Sequence, residues 1–122
     1  MKIELNYVSI SVAGDYYQVM IEEKEDTGNE DDLDTRYFMI QRQFEMPDGG
    51  KIYIETHDYD YIGNFRVSRA ELTPNRIFLR LQRNKSQDIE VTFKISKRKY
   101  HELIRVLRIM IPDIQVAGTA NP

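Results

Sequence analysis

The side chains best suited to chemistry stand close together: Glu55, His57, Asp58 and Asp60. Glu55 and His57 are two apart in an extended segment, so they share a face and could act as acid and base or hold one metal ion. No third ligand stands at a recognisable spacing. A paired strand carboxylate beside a polar residue at the strand end is the favoured account of both. Other catalytic patterns are missing. The chain has no cysteine, which excludes a thiol nucleophile, a disulfide scaffold and sulfur-ligated zinc. No serine sits in a Gly-x-Ser-x-Gly elbow, and Gly49-Gly50 belongs to a turn instead of opening a helix over phosphates. The sequence therefore predicts no catalytic residue, no cofactor and no metal. An enzyme around Glu55 and His57 is the weakest function class.

Charge is more informative. The net charge of −3 conceals 15 acidic and 5 basic side chains in residues 1–65, against 5 acidic and 12 basic in 66–122. Eight carboxylates crowd into 22–34: Glu22, Glu23, Glu25, Asp26, Glu30, Asp31, Asp32 and Asp34, with Lys24 the one cation among them. Such a run repels itself and predicts a solvated loop, or an anionic surface that steers a basic partner. Asp58-Tyr59-Asp60-Tyr61 adds two tyrosines between carboxylates, a composition suited to contact with another protein.

The basic half interleaves twelve cations, from Arg66 to Arg108, with Phe65, Phe78, Phe93 and Tyr100. Cations and aromatics on a sheet can hold single-stranded nucleic acid. Alternation sends most of these rings to the core, however, and an isoelectric point of about 5.4 disfavours a dedicated nucleic-acid binder. Lys97-Arg98-Lys99 precedes a helical stripe, where the helix dipole favours anions. Docked carboxylates, a bound anion or a later helix start would each explain it.

The elements carrying these residues follow from periodicity. Residues 3–12 and 16–23 alternate about Ala13-Gly14-Asp15 and predict a hairpin, with Ile3, Leu5 and Tyr7 sharing a face, then Tyr17, Val19 and Ile21. Segments 36–46 and 51–57 flank Pro47-Asp48-Gly49-Gly50. A simple four-residue connection sets Phe44 against Tyr53 and Arg42 against Glu55, whereas a bulge shifts the register. Strands at 65–72, 76–82 and 89–95 follow. Ser96 is a fitting N-cap for a helix whose apolar stripe is Tyr100, Leu103, Ile104, Leu107 and Ile111, ended by Pro112. The predicted class is α+β, mainly β: about seven antiparallel strands curled into a sheet or partial barrel, with one C-terminal amphipathic helix. Length predicts a single domain over 1–122, with an acidic loop at 22–34 and a tail at 112–122. No apolar run reaches the ~18 residues of a membrane span, and the alternating start reads as a strand instead of a signal peptide. A cytoplasmic protein is expected.

Gln41-Arg42 in one strand, Tyr53-Ile54-Glu55 in the next, Gly63 before a strand, the Leu72 to Arg76 turn, Leu79 and Leu81, and a closing helix with Leu103 and Leu107 form a pattern. Over Tyr37 to Ile111 it resembles immunity protein family ten of bacterial polymorphic toxin systems. The resemblance implies a small cytoplasmic protein that binds and neutralises a cognate toxin domain. It carries no defined set of contact residues onto this chain. The contact residues expected here come from charge and tyrosine placement: the eight carboxylates of 22–34 with Asp58, Tyr59, Asp60 and Tyr61. One helix covers one sheet face, so self-association to a homodimer is a further expectation.

Overall fold

Alternation changes phase after Leu5, and the backbone follows it. Ile3 and Leu5 are buried, but the next inward residues are Val8 and Ile10, while Tyr7 is 47% exposed. The computed structural model describes residues 1–24, 35–44, 49–82, 85 and 87–118. In it the chain crosses at this point from one sheet edge to the other. β1 (Lys2–Glu4) pairs in parallel with β8 (Gln87–Thr92), and β2 (Tyr7–Ala13) pairs antiparallel with β3 (Tyr16–Glu22). The amide of Leu5 donates to the Thr92 carbonyl and that of Asn6 to the Glu22 carbonyl, both at 2.9 Å. The expected hairpin is thus β2–β3 alone, and Tyr7 does not share the face of Ile3 and Leu5. Its two-residue loop is Gly14-Asp15, with Gly14 at φ +60°, the left-handed first position that a type II′ turn requires.

Five further strands complete the sheet: β4 (Tyr37–Gln43), β5 (Ile52–Thr56), β6 (Gly63–Thr73), β7 (Arg76–Gln82) and the short β9 (Gln115–Val116), which runs parallel to β6. The order is β1-β8-β7-β6-β5-β4-β3-β2. The result is a mainly β fold whose nine-stranded sheet is not closed into a barrel. One helix, α1 (Lys97–Met110), lies near the C-terminus. The two strands beyond the expected seven, β1 and β9, are too short to display a period.

β6 serves both halves of the sheet. Its first residues pair with β5, and the rest pairs with β7. Between them the register slips at Ser68, so Phe65 and Val67 face the core before the bulge, and Ala70 and Leu72 after it. A bulge adds one residue and bends the strand, which lets one sheet curl around one helix. Tyr100, Leu103, Ile104, Val106, Leu107 and Met110 bury the inner side of α1 in the same cluster as Ile40, Ile54, Leu79 and Val91. The tail is tied down as well. Ile114 is buried, and the Tyr100 hydroxyl donates to the Ala117 carbonyl at 2.9 Å.

The β4–β5 register departs from the four-residue connection. Met39 stands opposite Glu55, Ile40 opposite Ile54 and Gln41 opposite Tyr53. Arg42 and Glu55 therefore lie on opposite faces, and Phe44 does not meet Tyr53. Matching the buried rows Phe38, Ile40 and Ile52, Ile54 decides this. Burying one such side chain is worth roughly 1.5–3 kcal/mol, whereas an exposed ion pair gives about 1 kcal/mol at most. Arg42 instead reaches the end of α1. Its Nη1 donates to the Met110 carbonyl at 2.6 Å and its guanidinium lies over the Phe44 ring. A cation there complements the helix dipole.

Candidate functional site

With α1 on the inner side, the outer face of β2–β5 has no element over it among the described residues. Alternation places Tyr7, Ser9 and Ser11 there from β2, Tyr16, Gln18, Met20 and Glu22 from β3, Tyr37, Met39 and Gln41 from β4, and Tyr53 and Glu55 from β5. Cross-strand neighbours match in kind: Met20 opposes Met39, Gln18 opposes Gln41, and Gln41 in turn opposes Tyr53. Gln18 Oε1 accepts from the Tyr16 hydroxyl at 2.7 Å and from Gln41 Nε2 at 2.8 Å. These neighbours leave Met39 only 7% exposed although it points away from the main core. No lysine or arginine occupies an outward position of these four strands.

Glu55 is the charged centre of this face. One carboxylate oxygen accepts from the Tyr37 hydroxyl and the other from the Tyr53 hydroxyl, each at 2.8 Å. Partial burial, reinforced by the bond to Glu55 and its charge, pushes the Tyr37 hydroxyl up to about 12. The bond to Glu55, then burial, raises Tyr53 as well. Both phenols stay protonated donors at neutral pH. His57 lies just past β5, with Nδ1 3.4 Å from the Tyr37 backbone nitrogen. Glu55 thus takes its recorded hydrogen bonds from tyrosines and not from His57. Among the described residues no three of His, Asp and Glu gather where a metal could bind.

The predicted contact residues divide. Glu22 ends β3 opposite both Tyr7 and Tyr37. Glu23 accepts from the Arg36 side chain and backbone, each at 3.2 Å, bonds that hold its carboxyl below the usual range. That pair clamps the stem of the acidic segment. Glu25, Asp26, Glu30, Asp31, Asp32 and Asp34 lie outside the described residues. Asp58 caps the 3-10 turn Tyr59–Tyr61, accepting from the Asp60 amide at 3.0 Å. Tyr59 is 89% exposed, whereas Tyr61 packs against the core and accepts from the Met1 amine at 3.1 Å. Glu22, Glu23 and the 58–61 turn all lie at the strand ends on the Tyr37 side of the sheet. Periodicity did not single out Tyr37, Tyr53, Met20 and Met39; alternation alone gives Met20 its face, but bringing Tyr37 and Met39 to Glu55 takes the β4–β5 register.

The cations are arranged differently. Phe65, Phe93 and Tyr100 are buried, so Phe78 is the outward ring of that set. Arg69, Arg76 and Arg80 stand over it, 5.1–5.9 Å from its centroid. Each also meets a carboxylate: Arg69 binds Glu71 at 2.9 Å, Arg80 binds Asp88 at 2.9 Å, and Arg76 binds Glu90. α1 does begin at Lys97, with Ser96 Oγ accepting from the Lys99 amide at 3.1 Å and no acidic residue in the first turn. Lys99 pairs with Glu102. Arg98, His101, Arg105 and Arg108 are exposed. Among the described residues, no helix is long and apolar enough to cross a membrane. No protein-family model matches the chain, and no curated protein matches it.

Proposed function

We propose that this chain is a protein-binding domain of the toxin-neutralising kind, which occludes a basic surface of its partner. The observation that carries this reading is the outer face of β2–β5. It is tyrosine, methionine and glutamine around one carboxylate, without a cation, and it runs into the acidic end formed by Glu22, Asp58 and Asp60. Tyrosine and methionine are enriched in protein interfaces, and tyrosine supplies large contact area at small entropy cost. The acidic composition of 22–34, which begins with Glu22 on this face, adds long-range attraction, which raises the association rate more than the affinity. The resemblance to immunity protein family ten supports a toxin domain as the partner. Three residues that carry it, Gln41, Tyr53 and Glu55, fall side by side on this face. A cytoplasmic location fits the same reading.

Co-expression with the product of the adjacent coding sequence tests it. The expected outcome is restored growth and a salt-sensitive complex that the combined Tyr53→Ala and Glu22→Gln changes weaken. Unrelieved toxicity, or a complex indifferent to both substitutions and salt, overturns it. A homodimer through the same face would appear in light scattering and would compete with the toxin.

A further inference from the structure

We propose that Glu55, Tyr37 and Tyr53 form a receptacle for one arginine side chain of the partner protein. This deepens the protein-binding reading and rests on it.

An ionised carboxylate offers about four lone-pair sites on its two oxygens. Glu55 uses one on each oxygen, for Tyr37 and for Tyr53. One site per oxygen remains, and a planar guanidinium fork carries enough donors to meet both. The two phenol rings approach the carboxylate from different positions, one from the neighbouring strand and one from two residues earlier in β5. Aromatic rings beside a carboxylate favour a cation over a neutral group. The tyrosine bonds also fix the carboxylate before the partner arrives, so less side-chain freedom is lost on binding.

Glu55 also differs from the carboxylates that are ion-paired within the chain. Glu23, Glu71, Asp88, Glu90 and Glu102 each have a lysine or arginine within ion-pair distance. Glu55 has none among the described residues. A metal ion would need further strong ligands, and among the described residues no three His, Asp or Glu side chains gather at Glu55. Lysine would place a strongly hydrated point charge where a flat, weakly hydrated one fits both free lone pairs and the rings.

The test compares the peptide Gly-Arg-Gly-Arg-Gly-Arg-Gly with its citrulline counterpart, which keeps the shape and removes the charge. Both are titrated at low salt into the wild-type chain and into Glu55→Gln, with the tyrosine ring signals followed by NMR. The arginine peptide is expected to shift the Tyr37 and Tyr53 rings and to bind about tenfold more tightly than the citrulline peptide. Glu55→Gln should lose about the same factor. Equal binding of the two peptides overturns the receptacle. So does binding that survives Glu55→Gln, or that moves only signals of 25–34. Should Glu55→Gln unfold, the two peptides on the wild-type chain decide the matter through the ring shifts alone. A chain that neutralises no toxin but passes this titration loses the toxin reading and keeps the receptacle. One that neutralises toxin but fails the titration does the reverse.

Discussion

The two outer faces of this sheet solve the problem of charge in opposite ways. Over β7 and β8, three arginines surround Phe78, and Glu71, Asp88 and Glu90 answer them, with Lys2 3.3 Å from Glu90. Over β3–β5, Glu55 is answered only by neutral tyrosine hydroxyls. On the first face every one of these carboxylates has a cation from within the chain. The second has each oxygen of its central carboxylate hydrogen-bonded, yet among the described residues no cation answers that charge. Hydrogen-bond satisfaction and charge balance are thus separate properties, and a face with the first but not the second is the one prepared for a cation from outside. The abundance of arginine over Phe78 is, by the same reasoning, poor support for nucleic-acid binding.

Both faces rest on one core, and substitutions there should have the largest effect. Ile40→Ala beneath the tyrosine face and Leu79→Ala beneath the arginine face are each expected to cost about 2–5 kcal/mol in urea unfolding. Circular dichroism and tyrosine fluorescence should report one transition. Two separate transitions would break the comparison, because the faces would then belong to independent units.

Alkali should find the tyrosine face first. The folded state holds the Tyr37 proton more tightly than the unfolded chain does. Its contribution is therefore whole below the ordinary tyrosine value of 10 and lost as pH rises towards about 12. Absorbance titration should show Tyr37 ionising late, and Tyr37→Phe should remove that late step while costing about 0.5–1.5 kcal/mol for the lost hydrogen bond. Acid should find the arginine face. The Arg80 and Arg76 hydrogen bonds, in that order, hold Asp88 and Glu90 below their ordinary values of 3.8 and 4.5. Their contribution is present above those values and disappears as pH falls through the lowered ones. Asp88→Asn should therefore be less stable than wild type at pH 7 and converge with it in acid. A gap that persists at low pH would mean the arginine face is held by packing alone.

The smallest effect belongs to a third surface, the start of α1. Lys97→Glu replaces a cation with an anion at the positive end of the dipole and should stabilise by about 0.3–1 kcal/mol in thermal melts. Destabilisation would show that the cations there hold something in place.

What the sequence disclosed depended on phase. β7 and α1 alternate or repeat without interruption, so their buried rows and the Ser96 cap were legible. Leu5-Asn6 and Ser68 are points where the inward phase changes, and a period carried through the first put Tyr7 on the wrong face. The candidate site was least legible. Glu55 stood out as chemistry, and Tyr53 shares its face by alternation, but only the pairing of Met39 with Glu55 brings Tyr37 to it and sends Arg42 away. That pairing is chosen by apolar residues on the opposite face, which is why polar residues alone could not reveal it. The carboxylate run stood out for its charge, yet of its members only Glu22 and Glu23 fall within the described residues, and Glu23 is bound to Arg36.

The parallel pairing of β1 with β8 has a kinetic consequence. Residues 2–4 are made first but find their partners only at 90–92, well over half the chain away. During synthesis this strand has no ladder to join until β8, the last of the long strands, has been made, and loop closure over such a separation is slow. The β2–β3 hairpin, with its two-residue turn, can form at once. Folding should therefore proceed inward from β2–β3, with the seam at Leu5-Asn6 sewn last.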